Sequence, residues 1–262
     1  MLLLLSPAKK LDYDSPVRTT LHTQPLFVEQ AGELIDVLKK KSATQIAELM
    51  KLSDALAQLN VQRYAAWEPR FTQTNSRQAV LAFNGDVYEK LDASGLSDAK
   101  LKWAQEHVAV LSGLYGVLRP LDLMQPYRLE MGTRLRTSEG NTLYDFWRPR
   151  IAQYLNERLS EMGKDKAKAV VLNLASEEYF KAVDLAVLQA RVVQCVFQDF
   201  KNGVWKVISF NAKRARGLMA RHIIDHKITD PKKLLDFDSE GYAFDAAVST
   251  PEKLVFRRAS PV

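Results

Sequence analysis

The chain has 262 residues, of which 47% are hydrophobic and 26% are charged, and its formal net charge is +6. This composition is that of an ordinary globular protein and excludes disorder or a collagen-like repeat as the main state. The mild positive charge permits a nucleic-acid partner without requiring one.

The single cysteine, Cys195, excludes an intrachain disulfide framework and a zinc site built from cysteines alone. The apolar run at 1–5 is shorter than the apolar core of a signal peptide, and no stretch reaches the length of a membrane span. We therefore expect a cytoplasmic protein with no membrane partner. Neither a repeat nor a Gly/Ser linker divides the chain, and its length fits one or two domains.

Short apolar runs predict strands at 2–5, 79–83, 169–174, 191–198, 204–210 and 254–256. Helical periodicity predicts helices at 26–40, 44–50, 53–66, 97–111, 143–162 and 212–226, with Ser53 and Ser97 as N-caps. Asn202-Gly203 separates two strand-like runs and predicts a hairpin, and Asp230-Pro231 predicts the start of a short helix. The fold class is therefore mixed α/β, with a partly antiparallel sheet enclosed by helices.

Polar residues follow three of the predicted strands, and ligands of α/β sheets bind at such strand ends. If the ends near Ser6, Asn84 and Ser176 meet, they form a pocket for an unassigned reaction on a nucleotide or nucleic acid. The residues of this alternative are Ser6, Lys9, Asp12, Asp86, Glu178 and Lys181. Ser6 and Lys9 also match the S-x-x-K spacing of serine acyl-transfer enzymes, but the companion triplets are absent. Ser176, with acids in the next turn, is equally typical of a helix N-cap.

A helix–hairpin–helix unit, which binds phosphates through backbone amides, could lie at 44–66 or at 106–123. The first has two good helices but no glycine in its turn, with Lys51 in the turn and Arg63 on the second helix. The second has Gly113 and Gly116, but Pro120 limits a following helix. For the first, an ordinary pair of antiparallel helices is the alternative interpretation.

The segment 111–132 is dense in glycine, proline and tyrosine, more so than a plain loop requires. Arg119, Arg128 and, just beyond the segment, Arg134 could supply bidentate contacts to phosphates. An elaborate buried loop explains the same composition equally well.

The run 208–224 predicts an amphipathic helix with a cationic polar face. At about 100° per residue, Lys213, Arg214, Arg216 and Arg221 fall on one side, with Gly217 and Ala220 among them. Small residues between cations would let a phosphate backbone approach closely. A solvated face usually mixes both signs of charge, so the pattern favours anion binding.

Metal and thiol chemistry have weak support in the sequence. His222 and His226 are four residues apart, but His222 falls on the apolar side of the predicted helix and no H-E-x-x-H motif is present. Cys195 lies within an apolar strand, where burial is more typical than reactivity. We expect no metal site and no cofactor, and the few histidines argue against direct iron handling.

An ordered set of motifs resembles one known family over the whole chain. The motifs lie at 6–9, 11–13, 83–88, 111–132, 173–176, 178–181, 208–221, 241–242 and 244–245. Together they are similar to the YaaA family of bacterial peroxide-stress proteins, formerly a domain of unknown function. The resemblance implies one domain over 1–262, a compact single unit of strands enclosed by helices. It also implies a protein that limits free intracellular iron during hydrogen peroxide stress, and so protects DNA and proteins from damage.

The resemblance further implies DNA binding through a helix–hairpin–helix and a positively charged cleft, with preference for distorted duplexes rather than for a sequence. The predicted phosphate contacts are Lys9, Lys10, Arg119, Arg128, Arg134, Lys181, Lys213, Arg214, Arg216 and Arg221, with Lys51 and Arg63 as a second tier. Tyr115, Tyr127 and Tyr179 could stack on unpaired bases. DNA is thus the expected partner, and the enzyme with a strand-end pocket is the alternative.

Overall fold

The computed structural model describes residues 1–163 and 168–259. Its strands are β1 (Leu2–Leu5), β2 (Lys10–Leu11), β3 (Arg77–Gln78), β4 (Phe83–Asn84), β5 (Val108–Ser112), β6 (Gly116–Leu118), β7 (Leu123–Met124), β8 (Val170–Asn173), β9 (Arg191–Lys201), β10 (Val204–Lys206), β11 (Ala243–Phe244) and β12 (Lys253–Arg258). Its α-helices are α1 (Val28–Lys39), α2 (Ala43–Met50), α3 (Asp54–Ala66), α4 (Ala79–Ala82), α5 (Asp86–Leu91), α6 (Asp98–His107), α7 (Leu143–Glu161), α8 (Glu177–Phe180) and α9 (Ser209–His226).

One eight-stranded mixed sheet forms the centre of the molecule. Its strand order is β11-β12-β9-β8-β1-β5-β6, with β10 paired to β9. The five strands β12, β9, β8, β1 and β5 run parallel to one another, whereas β6, β10 and β11 pair antiparallel. Two short antiparallel ladders, β2–β4 and β3–β7, lie outside this sheet. The mixed α/β class predicted from the sequence is confirmed.

The core lies on both faces of the middle strands. All four leucines of β1 and all five residues of β5 are buried, as expected for parallel strands covered on both sides by helices. One continuous hydrophobic cluster extends from β1 to the aromatic residues of the C-terminal segment, among them Phe237 and Phe256. None of the described helices is both long enough and apolar enough to cross a membrane.

Local sequence signals account for several element ends. Ser53 and Ser97 accept hydrogen bonds from Leu56 N and Lys100 N, so both predicted N-caps are confirmed. Asn202 and Gly203 both have positive φ angles in the turn of the antiparallel β9–β10 hairpin, as predicted. Asp230 caps a short 3₁₀ helix at Pro231–Leu234, also as predicted.

Three predicted elements are wrong in part. The run at 79–83 is largely helix α4 rather than a strand, because Ala79 N and Val80 N donate to the carbonyl groups of Asp122 and Pro120 instead of joining the central sheet. The helix predicted to reach 111 ends at His107, and β5 begins at the next residue. The strand predicted over 204–210 ends at Lys206, and α9 begins at Ser209.

Only one of the two predicted helix–hairpin–helix locations holds a pair of helices. Residues 106–123 hold the β5–β6 hairpin, so this location is wrong. Residues 44–66 hold α2 and α3, which pack on each other across a three-residue turn. In that turn the amides of Lys51 and Leu52 both donate to Ala47 O, which closes the end of α2 and occupies these two donors.

Candidate functional site

The carboxyl ends of β1 and β8 meet at one edge of the sheet. The two strands are parallel neighbours, so Ser6 and Ser176 emerge side by side. Ser176 N donates to Ser6 Oγ at 2.8 Å, and the two hydroxyl oxygens are 3.3 Å apart. Ser176 thus helps to join two strand ends, although it stands at the N-cap position of the short helix α8.

The third predicted strand end, near Asn84, lies in the same region although it is outside the central sheet. Asn84 belongs to β4, which pairs with β2 rather than with the main sheet, and it lies opposite Lys10. Helix α5 follows β4, and the hydroxyl of its Tyr88 donates to Ser6 O at 2.8 Å. The three predicted strand ends therefore converge, although only two of them belong to the central sheet.

A partly buried cationic cluster lies beside these strand ends, and we define it as Lys9, Arg63, Arg128 and Glu130. Lys9 Nζ is 3.3 Å and Arg128 Nη2 is 3.0 Å from the same oxygen, Glu130 Oε1. Burial lowers the pKa of Arg63, and the charge of Arg128 lowers it further. The cluster thus combines three cations with one carboxylate, which leaves an excess of positive charge.

Tyrosine hydroxyl groups hold the backbone around this cluster in place. The Tyr64 hydroxyl, on α3, donates to Arg128 O, and the Tyr13 hydroxyl donates to Met124 O at 2.6 Å. Burial raises the pKa of both phenols above their usual range, so both remain neutral donors. Helix α3 therefore brings Arg63 close to Arg128, which connects the α2–α3 helix pair to this region.

The residues of the enzymatic alternative fall into separate contacts. Glu178 Oε1 accepts from Gly132 N at 3.0 Å, and Lys181 Nζ lies 5.2 Å from the centre of the Tyr144 ring. Among the described residues, the hydrogen bonds of Ser6 Oγ go to Ser176, which offers no base. Because a serine nucleophile needs a base within hydrogen-bond reach, this geometry does not favour acyl transfer.

The two aspartates of that alternative face other partners. Asp12 accepts hydrogen bonds from Ser15 and lies 3.2 Å from Arg77 Nη1, and these contacts lower the pKa of Asp12 to about 2. Asp12 and Arg77 also line a cavity of about 260 Å³. Asp86 lies 4.0 Å from Lys213 Nζ on α9.

Acids from distant parts of the chain meet the cationic face of α9. Arg221 contacts Asp92 at 2.9 Å and Asp225 at 2.8 Å, and Arg214 lies 3.7 Å from Glu240. Residues 209–224 therefore contain no acid themselves, but acids from other segments lie around them. The cations of this face are partly neutralised before any ligand arrives.

The small residues of α9 serve helix packing instead of phosphate approach. Gly217 and Ala220 are buried, and α9 packs closely on α5. A methyl group on Gly217 would overlap the carbonyl oxygen of Val87 and lie 2.8 Å from Lys90 Cβ. The expectation that these residues open the helix to a phosphate backbone is therefore wrong.

Contacts or burial within the protein restrict two of the predicted DNA-binding arginines, Arg119 and Arg216. Arg119 binds the fully buried Asp122 through its guanidinium at 2.9 Å and through its backbone amide at 2.8 Å. Burial lowers the pKa of Arg216, which lies near the Cys195 thiol. The predicted contacts whose side chains are exposed are Lys9, Lys10, Lys51, Arg134, Lys181 and Lys213.

The three tyrosines predicted to stack on unpaired bases are enclosed. Tyr115, Tyr127 and Tyr179 are buried, and burial raises the pKa of each phenol. Tyr127 shares a 2.7 Å hydrogen bond with Ser112, and its ring packs edge-on against Tyr115. Rings held in this way cannot reach a base, so that expectation is wrong.

The histidine pair is packed against an aromatic residue. The His222 and His226 rings are 4.4 Å apart, and His222 also lies edge-on to Phe237. Over residues 1–163 and 168–259, no group of three or more His, Cys, Asp or Glu side chains is arranged to hold a metal ion.

The Cys195 thiol is expected to be inert in the folded protein. It is buried in β9, and burial raises its pKa to about 12. Because the thiolate is the reactive species, labelling by a disulfide reagent at pH 8 should be on the order of a thousandfold slower than in denaturant. Time-resolved absorbance measures both rates. Rapid labelling of the native protein, or its rapid oxidation by peroxide, would contradict this expectation.

The sequence did not reveal the role of Glu130 or the partner of Arg119. Glu130 lies two residues after Arg128, a short spacing that indicates nothing by itself, and Lys9 is more than a hundred residues away. Asp122 follows Arg119 at a spacing of three residues within a buried turn. For both ion pairs, the sequence offered only an acid two or three residues after an arginine in an otherwise apolar segment.

Comparison with known proteins gives consistent matches over the whole chain. A family model described as "Peroxide stress protein YaaA" matches residues 1–248. A UPF0246 protein of Bordetella petrii is 70% identical over 258 residues, which is 98% of this chain and 99% of the relative. A UPF0246 protein of Albidiferax ferrireducens is 63% identical over 262 residues, which is the full length of both chains.

Proposed function

The chain belongs to the peroxide stress protein YaaA family, and from this premise we propose that it binds DNA in the cytoplasm during peroxide stress. In this proposal it limits free intracellular iron, so that less iron reacts with hydrogen peroxide beside DNA and proteins. Binding is directed at the phosphate backbone and prefers distorted duplexes. In this proposal the lower level of free iron follows from the action of the protein in the cell and requires no iron site on the protein.

The cationic cluster is the observation that supports DNA binding most directly. Lys9 and Arg128 share the carboxylate of Glu130, and Arg63 precedes Tyr64, whose hydroxyl donates to Arg128 O. One carboxylate thus serves two cations, and a guanidinium can bind a phosphate through two parallel hydrogen bonds. The exposed Lys9 and Lys10 extend the positive surface toward solvent.

The α2–α3 pair supports the same site. Its second helix carries Arg63 into the cluster, and Tyr64 of that helix holds Arg128 O. A duplex bound at the cluster would therefore also lie along α3. This geometry agrees with a helix–hairpin–helix role for 44–66, although the amides of Lys51 and Leu52 are already used within the turn.

Charge reversal at Lys9 and Lys10 should weaken DNA binding. For Lys9→Glu/Lys10→Glu we expect duplex affinity to fall about tenfold or more at low salt, because phosphate contacts dominate such binding. The logarithmic slope of affinity against salt concentration should also become shallower by about 1 for each lysine that no longer pairs with a phosphate. Fluorescence anisotropy across a salt series with intact duplex, bubble and four-way-junction DNA measures both effects.

The matched control is Lys232→Glu/Lys233→Glu, which changes the net charge equally at another exposed lysine pair. Equal weakening by both double variants would show that overall charge matters and that the cluster is not the site. Absence of binding by the unaltered protein at low salt would contradict DNA binding altogether. In cells, the Lys9/Lys10 variant should fail to lower chelatable iron under peroxide, whereas the control should succeed.

A further inference from the structure

Arg63 is a half-buried cation that has no partner within the protein. It lies on α3, where it is partly covered by its surroundings. In the part of the chain that the structure describes, its guanidinium forms no hydrogen bond and no ion pair. Arg77, which is also partly buried, is by contrast paired with Asp12 at 3.2 Å. A charge that is partly removed from water is normally compensated, so Arg63 indicates an anion that the chain itself does not supply.

Tyr64 shows that Arg63 belongs to the cationic cluster. The hydroxyl of Tyr64 donates to Arg128 O. The charges of Arg63, Arg128 and Glu130 all affect the pKa of this phenol, so the three side chains surround one hydroxyl group. Burial raises the pKa of the phenol, which therefore stays neutral and does not compensate Arg63.

The carboxylate of Glu130 compensates only part of the positive charge of the cluster. Lys9 and Arg128 both contact the same oxygen of this carboxylate, Oε1. Three cations and one carboxylate leave a formal charge of +2. A phosphate within a DNA strand carries one negative charge, whereas a phosphate monoester carries about −1.5 to −2 at pH 7. A monoester therefore matches the charge of the cluster more closely than a phosphate within a strand does.

The different exposure of the cations also favours the end of a strand. The side chain of Lys9 is 69% exposed, that of Arg128 is 18% exposed, and Arg63 is half-buried. A terminal phosphate has three free oxygens and is attached to DNA on one side only, so it can pass Lys9 and reach both guanidinium groups. A phosphate within a strand has a sugar on each side, which keeps it farther from partly covered cations.

We propose that the cationic cluster binds the terminal phosphate monoester of a DNA strand at a nick, gap or end, with Arg63 and Arg128 as guanidinium ligands and Lys9 at the entrance. This inference rests on the proposed DNA-binding function and deepens it, because it names the chemical group that this site selects. The preference for distorted duplexes then includes a preference for interrupted strands. A free nucleoside monophosphate carries the same group, so the experiment compares the two sources.

The test compares four forms of one duplex by fluorescence anisotropy. One form is intact, and the others have a nick with a 5′-phosphate, with a 3′-phosphate, or with hydroxyl groups only. A phosphate at one of these ends should raise the affinity about tenfold over the hydroxyl nick, because the dianion forms charge-assisted hydrogen bonds with two guanidinium groups. Arg63→Met should reduce this ratio to nearly one. Arg63→Lys keeps the charge but not the paired donors, and should retain part of the ratio.

Arg191→Met is the matched control and should leave the ratio unchanged. Arg191 is exposed at the amino end of β9, at the opposite edge of the central sheet from Ser6 and Ser176. Thermal unfolding provides a second measurement. Arg63→Met should be at least as stable as the unaltered protein, because it removes a cation without an internal partner. Adenosine monophosphate should stabilise the unaltered protein but not the Arg63→Met variant.

Four results would overturn the inference. Equal binding of phosphorylated and hydroxyl nicks, with the intact duplex still bound, would contradict it and leave the proposed function in place. An equal loss of the ratio in Arg63→Met and Arg191→Met would assign the effect to net charge. Marked destabilisation by Arg63→Met would give Arg63 a structural role. A protein that adenosine monophosphate stabilises but that binds no form of the duplex would contradict both the DNA end as ligand and the proposed function.

Discussion

Replacing Arg119 with methionine is expected to lower the free energy of unfolding by about 3–5 kcal/mol, the range found when one partner of a buried ion pair is removed. Asp122 is fully buried, and its carboxylate contacts the Arg119 guanidinium at 2.9 Å. After the change the carboxylate retains the backbone amide of residue 119 and the Thr23 hydroxyl, which donates at 2.6 Å, but it has no counter-charge. Methionine keeps much of the apolar stem, so altered packing contributes little.

Denaturant unfolding followed by circular dichroism measures this effect. Arg158→Met is the matched control. Its partners Glu106 and Glu161 have side chains that are 54% and 66% exposed and remain hydrated, so this change should cost no more than about 1 kcal/mol. Equal destabilisation of the two variants would contradict a special role for burial.

The same ion pair limits the part that Arg119 can play in DNA binding. Its guanidinium already donates to Asp122 and to Gln24 O, so a phosphate would have to compete with a buried carboxylate. We expect Arg119→Met to reduce DNA binding only to the extent that it unfolds the protein. Arg134, whose side chain is exposed, is the better candidate for direct contact.

Periodicity predicted the helices well because it depends on neighbours within one element. In α9 the buried residues include Ala215, Met219 and Ile223, which lie opposite most of the cations at about 100° per residue. The same periodicity could not reveal what faces the cations. Asp92 and Glu240 reach them from segments that are distant in the chain. The helical wheel located the cations of α9, but it revealed neither their acidic partners nor the burial of Gly217, Ala220 and Ile224 among them.

Short apolar runs were the least predictable elements. The run at 79–83 has a strand-like composition, yet the carbonyl groups of Pro120 and Asp122 accept its first amide protons and it forms one helical turn. The run at 108–112 follows α6 without a break, and it becomes a strand because β1 pairs along it. In both cases tertiary hydrogen bonds decide between two local structures of similar energy.

Residue type alone also could not distinguish buried from exposed rings. Tyr115 and Tyr127 were candidates for base stacking because they lie among glycines and arginines, but the β5–β6 hairpin and its following loop enclose them. Phe200 lies in a strand-like run, where aromatic residues are usual, so nothing in its pattern predicted that its side chain is 43% exposed. Its exposure follows from α9 covering only one face of β9.

Two glycine-to-alanine changes within α-helices are expected to have opposite effects on stability. Gly217→Ala should lower the free energy of unfolding by about 1–3 kcal/mol, the usual cost of overpacking, because its methyl group overlaps Val87 O across the α5–α9 contact. Gly32→Ala in α1 should raise it by about 0.5–1 kcal/mol, since the methyl group meets Trp67 only at 3.7 Å and alanine favours the helix. Thermal and denaturant unfolding measure both.

The sign of the change in stability caused by Gly217→Ala distinguishes two roles for the small residues of α9. If Gly217 permits close packing on α5, alanine destabilises the protein, and DNA affinity measured on the folded fraction changes little. If instead Gly217 permits close approach of a phosphate, alanine leaves stability unchanged or raised, as at Gly32, and weakens DNA binding. Because the Val87 carbonyl is backbone and cannot rotate away, α5 would have to move as a unit, carrying Asp86 away from Lys213. We expect the first result.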